Sequence, residues 1–186
     1  MRALIGIFAA SVLLVSGPVL AKDTGWYTGL GITYTDFKVD AGALGTARDK
    51  TPGFLVLGGY QVSPHIAFEG ELAYSGEAKD SVGGTNVKVN YNSWTVGIVG
   101  SLPIGDVFDV FAKFGATYGQ GEYTIGDVKT TARDGGYTAG AGAGMHFGAV
   151  DLRLRYEVQR VRLDNRDVVD NPTRLGLDVL LSLIHI

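Results

Sequence analysis

Hydrophobic and polar residues alternate with a period of two along most of the chain after residue 24. The clearest example is the segment 150–159, in which Leu152, Leu154, Tyr156 and Val158 alternate with charged or amide side chains. Successive side chains of an extended strand point to opposite faces, so this alternation predicts a β-strand with one apolar and one polar face. A helix does not separate the two kinds of residue in this way.

The same alternation predicts eight strands, over residues 25–37, 53–61, 66–75, 87–102, 108–118, 137–147, 150–159 and 174–183. The second strand is the least regular, because Leu55 and Leu57 fall on its polar face. Residues 38–51, 76–86, 119–136 and 160–172 form long polar loops, and the remaining connections are tight turns. An even strand number with alternating long and short connections is typical of bacterial outer-membrane barrels. The predicted fold is therefore all-β, an eight-stranded antiparallel up-and-down transmembrane β-barrel.

Three features predict that the apolar faces meet lipid and the polar faces line the interior. The polar face of the sixth strand is mostly glycine (140, 142 and 144), which suits the crowded interior of a narrow barrel. The apolar faces carry almost no charge, and a Lys or Arg at the bilayer midplane would cost roughly 2–4 kcal/mol. Aromatic side chains stand near the ends of these faces, as expected for interfacial girdles: Trp26, Tyr34, Tyr74, Trp94, Tyr118, Tyr137 and Phe147.

Charged side chains recur on the predicted interior faces. They are Glu69, Glu71, Lys113, Arg153, Arg155, Glu157, Arg174 and Asp178. We interpret them as a structural network of charges that cannot be left unpaired away from bulk water. The alternative is a selectivity lining or a binding site. An eight-stranded barrel is about filled by its own side chains, which favours the structural interpretation and excludes a wide pore.

The N-terminal residues 1–21 have the features of a secretory signal peptide. Arg2 precedes an apolar run over residues 3–15, and Gly17-Pro18 precedes the short residues before the expected cleavage after Ala21. The run is shorter than the about 20 apolar residues of a membrane-spanning helix. We therefore expect a signal peptide over 1–21 and one barrel domain over 22–186. The expected location is the outer membrane of a Gram-negative bacterium, with both termini and the tight turns on the periplasmic side.

Composition and the histidines argue against several other functions. The chain has no cysteine, which excludes disulfides and cysteine-based metal or redox sites, and its net charge of −3 argues against nucleic acid as a partner. His65, His146 and His185 show no recognisable spacing to a serine, so we expect no enzyme and no catalytic residue. The acidic and amide residues at 164–171 fit no known calcium loop, so we expect no metal and no cofactor.

Several short motifs follow one another in an order that resembles a known family. They are Trp-Tyr-Thr-Gly at 26–29, Gly-Gly-Tyr-Gln-Val-Ser-Pro at 58–64, Ala-Phe-Glu at 67–69, Asp-Val-Phe-Ala-Lys-Phe-Gly at 109–115 and Arg-Leu at 153–154. Together they resemble the transmembrane domain of outer-membrane protein A and its small relatives, including the opacity and porin-like barrels. The resemblance covers essentially the mature chain. It implies a monomeric eight-stranded barrel with a charged lumenal network, in which Glu69, Lys113 and Arg153 match members of that network.

The sequence departs from this family at two places. Val99 stands where the family has a further lumenal lysine, and glycine or methionine stands near its second lumenal glutamate. Residues 183–186 replace the aromatic residue with which family members usually close, and we expect this end to be non-native.

The expected role is structural or in surface interactions through four exposed loops. The expected partners are outer-membrane lipid, the barrel assembly machinery, and lipopolysaccharide phosphates bound by Lys38, Lys88, Arg160 and Arg162. Two alternatives remain open at this point, a low-conductance porin and a soluble lipocalin-like binding barrel.

Overall fold

The period-two alternation corresponds to a closed β-barrel in a computed structural model of the chain, which describes residues 24–40, 46–82, 85–125, 128–161 and 169–183. The strands are β1 (Gly25–Asp40), β2 (Thr46–Ser63), β3 (Ile66–Val82), β4 (Thr85–Ile104), β5 (Phe108–Ile125), β6 (Val128–Phe147), β7 (Val150–Val161) and β8 (Val169–Ser182). Each strand pairs antiparallel with its neighbours in sequence, and β8 pairs with β1 to close the sheet. The predicted fold class is confirmed. No helix in the described part of the chain could cross a membrane.

The strands are longer than the sequence predicted at one rim. The predicted loop 119–136 is instead a paired extension of β5 and β6, which runs from Gly119 opposite Asp134 to Ile125 opposite Val128. Parts of the other predicted loops also belong to strands. The prediction of long loops is wrong there. Polar composition indicates that a segment contacts water, but a polar segment can still pair in a β-ladder, because the ladder needs only backbone groups. The rest of these loops, at 41–45, 83–84, 126–127 and 162–168, lies outside the described residues.

The opposite rim carries the tight turns at 64–65, 105–107 and 148–149. Gly105 and Gly148 have φ angles of 68° and 67°, a left-handed conformation that glycine adopts without steric cost. Leu183 N donates to Trp26 O at 2.8 Å, so the start of β1 and the end of β8 lie at this rim too. We call it the tight-turn rim and the other the long-strand rim.

Exposure of the side chains follows the alternation. In β7, Leu154 is 54% exposed, whereas Arg153 and Arg155 on either side of it are 4% and 2% exposed. The polar face therefore lies inside the barrel and the apolar face outside, as the sequence predicted.

The irregular pattern of β2 has a packing cause. Leu55 and Leu57 are buried inside the barrel with Leu180 of β8. A Cβ atom on Gly29 of β1 would lie only 3.0 Å from Leu180 Cγ and 3.2 Å from Leu57 Cδ1. The glycine thus gives two leucines room to pack against the barrel wall, and the interior contains an apolar layer beside its polar side chains.

Candidate functional site

Eight charged side chains form one cluster inside the barrel, and they are the eight residues that the sequence placed there. The acids are Glu69, Glu71, Glu157 and Asp178, and the bases are Lys113, Arg153, Arg155 and Arg174; none is more than 4% exposed. They project from β3, β5, β7 and β8. We call this cluster the lumenal network. Since acids and bases are equal in number, the network has no net charge when every member is ionised.

Lys113 on β5 contacts three of the acids. Its Nζ lies 2.7 Å from Glu69 Oε1, 2.8 Å from Glu71 Oε2 and 3.4 Å from Glu157 Oε1. Glu69 and Glu71 belong to β3 and Glu157 to β7, so these contacts join strands that are not neighbours in the sheet. The contacts therefore cross the barrel, and the surrounding carboxylates offset the cost of removing an ammonium group from water.

Glu71 accepts hydrogen bonds from three bases. Lys113 Nζ donates at 2.8 Å, Arg155 Nη1 at 2.6 Å and Arg174 Nη1 at 2.7 Å. Charge-assisted hydrogen bonds of this length are roughly twice as strong as neutral ones. Arg155 Nε also lies 3.0 Å from Asp178 Oδ2, an ion pair without a well-directed hydrogen bond. Glu71 is therefore the acid with the strongest set of contacts, and Asp178 has a weaker one.

Arg153 forms the part of the network nearest the tight-turn rim. Its Nη1 donates to Glu69 Oε2 at 3.1 Å, and Tyr27 OH donates to the same oxygen at 3.2 Å. The guanidinium carbon lies 5.4 Å from the ring centroid of Tyr27 and 5.2 Å from that of Phe111. Both distances fall in the range of cation–π contacts. The guanidinium and two rings together occupy the interior at this level.

A smaller polar group lies at the mouth of the barrel on the tight-turn rim. His146 Nδ1 lies 2.7 Å from Asp151 Oδ1, and His146 Nε2 lies 3.4 Å from Asp109 Oδ2. The ring of His65 has a different neighbour, with Nδ1 at 3.1 Å from Ser101 O. His185 lies outside the described residues. Within the described ranges, no group of three potential ligands has the geometry to hold a metal ion.

Several other interior side chains form hydrogen bonds in the barrel, and the sequence did not assign them to the network. Arg174 Nη2 donates to Ser93 Oγ at 3.1 Å, and Tyr91 OH donates to Gln159 Oε1 at 3.2 Å. Tyr27 belongs to the interior face because it alternates with Trp26, but its contacts with Glu69 and Arg153 were not predicted. Strand parity, the alternation of side chains between the two faces of a strand, identifies these residues as interior. It does not show which of them are in contact.

The seven predicted girdle aromatics all lie on the exterior. Their exposed fractions run from 37% for Tyr118 to 64% for Trp26. Trp26 and Phe147 are near the tight-turn rim, and Tyr34, Tyr74, Trp94, Tyr118 and Tyr137 lie towards the long-strand rim. Ring pairs link adjacent strands, with centroids 5.1 Å apart for Trp26 and Tyr60 and 5.9 Å apart for Trp94 and Tyr118. Tyr60 is a member of this exterior set that the sequence analysis did not include.

A closed barrel with ion pairs inside and large apolar side chains outside defines an integral membrane β-barrel. Residues 7–180 match the family described as "Outer membrane protein beta-barrel domain". The chain belongs to this family of outer-membrane proteins, which confirms the resemblance drawn from its motifs.

Similar proteins are outer-membrane barrels. Outer membrane protein A of Shigella flexneri is 29% identical over 99 residues, a match that spans 50% of this chain and 28% of that protein. The crystal structure of Neisserial surface protein A superposes with a TM-score of 0.67 at 13% identity, covering 87% of this chain and 100% of that one. Ail, the attachment invasion locus protein of Yersinia pestis, gives a TM-score of 0.58 at 16% identity, covering 86% of this chain and 99% of that one. At these identities the two structures show a common fold.

Proposed function

We propose that this protein is a monomeric outer-membrane barrel with a structural or surface-interaction role, and that its interior does not conduct ions steadily. The observation that carries the proposal is the lumenal network, whose four acids and four bases are all nearly inaccessible. Beside it lie Leu55, Leu57 and Leu180, which are 1–2% exposed. Within the described residues, charged pairs and leucines occupy the interior together, which supports a barrel without a wide aqueous path.

The network has a clear mechanical consequence. Its contacts join β3 to β5, β7 and β8 through the interior, whereas the sheet joins each strand only to its neighbours. Removing one member of a buried pair typically costs about 3–5 kcal/mol, because the remaining charge is left uncompensated. We therefore assign the network a stabilising role.

The proposed orientation places the tight-turn rim in the periplasm and the long-strand rim outside the cell. It is supported by the position of the start of β1 and the end of β8 at the tight-turn rim. We propose with it a signal peptide over 1–21 and a barrel domain over 22–186. An epitope inserted at 83–84, between β3 and β4, should be accessible to antibody on intact cells. Access only after the outer membrane is broken would overturn this orientation.

The proposed partners are membrane lipid, lipopolysaccharide and the barrel assembly machinery. Lys88 and Arg160 are exposed and lie towards the long-strand rim, where lipid phosphates would be reached. The side chain of Lys38 and the whole of Arg162 lie outside the described residues. Any surface ligand would meet the extended ends of the strands at this rim. The chain is also proposed to have no enzymatic activity.

Planar-bilayer recording tests the central proposal. Protein refolded into a lipid bilayer should show no steady single-channel current. A regular conductance step that persists in purified protein would overturn it.

A low-conductance porin is the second candidate, and one observation favours it. Within the described residues, Arg153 Nε, Arg155 Nη2 and Arg174 Nε are buried without a hydrogen-bond acceptor. Such donors are the groups that water or an anion would bind in a narrow path. The soluble lipocalin-like alternative is wrong, because the chain belongs to an outer-membrane family and its exterior carries the large apolar side chains.

A further inference from the structure

Both ring nitrogens of His146 face a carboxylate at the mouth of the barrel on the tight-turn rim. Nδ1 lies 2.7 Å from Asp151 Oδ1, and Nε2 lies 3.4 Å from Asp109 Oδ2. The three residues belong to three successive strands, with His146 on β6 between Asp109 on β5 and Asp151 on β7. One imidazole ring therefore contacts both neighbouring strands. We call these three residues the mouth cluster.

With both carboxylates ionised, the arrangement suits one charge state of the ring. A neutral imidazole has an N–H donor on one nitrogen, and its other nitrogen is an acceptor. A neutral His146 would therefore donate to one carboxylate, and its lone pair would face the other. An imidazolium has an N–H on each nitrogen and a positive charge, so it contacts two carboxylates favourably. The geometry of the mouth cluster is thus that of a protonated histidine between two ionised aspartates.

The position of the ring allows it to exchange a proton with water at the rim. The side chain of His146 is 17% exposed and that of Asp151 is 22% exposed, whereas the side chain of Asp109 is fully buried. A buried carboxylate is costly unless a cation or hydrogen-bond donors compensate it. The charge of His146 therefore stabilises a carboxylate that water does not reach.

Other titratable groups lie near the mouth cluster. Arg153 is the next interior residue of β7, and a Cβ added to Gly144 would meet both its Cγ and Oδ1 of Asp109. Its Nη1 donates to Glu69 Oε2 at 3.1 Å, so the guanidinium is directed towards the lumenal network.

Two more titratable residues stand at the same rim. Asp106 is exposed in the turn between β4 and β5, and His65 has Nδ1 at 3.1 Å from Ser101 O. A neutral ring with its proton on Nδ1 satisfies that single carbonyl. His65 therefore provides a matched control, a histidine at the same rim whose described contact does not require a charged ring.

We propose that the mouth cluster is a proton-operated clasp, in which protonated His146 joins the ends of β5 and β7 and its deprotonation releases them. Histidine side chains change charge between about pH 5 and 8. Both ion pairs exist while the ring is charged, so their stabilisation is present at the lower pH and is lost as the pH rises and the ring deprotonates. In the proposed orientation this rim faces the periplasm, whose pH would operate the clasp. The titration itself does not depend on that orientation.

Histidine-ring NMR tests the charge state. Protein with ¹³C- and ¹⁵N-labelled histidine is refolded in detergent micelles, and the His146 signals are assigned by their loss in His146→Gln. The ring should be doubly protonated at pH 5.5 and should become neutral as the pH is raised towards 9. A ring that is neutral at pH 5.5 would overturn the proposal.

Thermal unfolding on unboiled gels tests the stabilisation. The wild type should unfold about 2–4 °C higher at pH 5.5 than at pH 8.5. His146→Gln should lose most of this difference, and the control His65→Gln should keep it. A pH dependence that His146→Gln retains in full would overturn the clasp. If His146→Gln does not fold, Asp151→Asn removes one of the two carboxylates and should reduce the difference, and an undiminished difference in that variant would count equally against the proposal.

Discussion

Lys113 Nζ and Glu69 Oε1 lie 2.7 Å apart across the barrel interior, although their strands are separated in the sheet by β4. Both side chains are 2% exposed. A pair in this position stabilises the closed barrel only while both partners are charged and present. The consequences of removing either one can be measured.

Lys113→Ala should lower the free energy of unfolding by about 3–5 kcal/mol, because Glu69 and Glu71 lose a shared cation in a buried setting. The measurement is the temperature at which the folded band disappears on an unboiled gel, together with urea unfolding in lipid vesicles. Conductance in planar bilayers should change little. A steady new current without loss of stability would favour the porin alternative.

The matched control is Lys129→Ala. Lys129 pairs with Glu122 on the paired extension of β5 and β6, but its side chain is 63% exposed. Exposed ion pairs contribute about 0–1 kcal/mol, so this variant should unfold almost as the wild type does. An equal loss of unfolding free energy in Lys113→Ala and Lys129→Ala would contradict the prediction that the interior ion pairs contribute more than exposed ones.

Members of the lumenal network should contribute differently to the free energy of unfolding, according to the number and geometry of their contacts. Glu71→Gln should destabilise the barrel more than Asp178→Asn, because Glu71 accepts from three bases within 2.8 Å, whereas Asp178 has one cation at 3.0 Å without a directed hydrogen bond. Urea unfolding of both variants under one set of conditions gives the ranking. The reverse order would show that burial of Asp178, and not the number of partners, governs the contribution.

Strand parity predicted the barrel and the interior position of every member of the network, because a period of two assigns each side chain to one face. It could not predict the contacts. Glu71 meets Arg174 only because the sheet closes between β8 and β1, which leaves only β1 and β2 between β8 and β3 on that side. The order of closure is not a local property. Strand parity also could not predict how far the strands extend. The polar residues of 119–136 are equally compatible with a solvated loop and a solvated ladder, and only the partner strand distinguishes them.

Two adjacent glycines offer a direct test of which face is inside. Gly59→Ala should destabilise the barrel by about 1–3 kcal/mol, the usual cost of overpacking, because its Cβ would press on the ring of Tyr27. That ring lies against Arg153 and donates to Glu69, so the displacement would disturb the network. Gly58→Ala should be nearly neutral, since its Cβ points to open space outside. Thermal unfolding on unboiled gels compares the two, and a larger loss for Gly58→Ala would reverse the face assignment.

The paired ends of β5 and β6 should stand in water above the membrane. Arg133 lies opposite Gln120 there, and both positions carry polar side chains on the exterior face. Leu154, by contrast, belongs to the apolar exterior and is 54% exposed. The chain has no cysteine, so single cysteines at these two positions can be spin-labelled without background. In vesicles, the label at Leu154→Cys should relax faster with oxygen, which concentrates in hydrocarbon, and the label at Arg133→Cys with a water-soluble nickel chelate. Oxygen dominance at both positions would place the whole β5–β6 ladder in lipid, where an arginine on the exterior costs roughly 2–4 kcal/mol at the midplane.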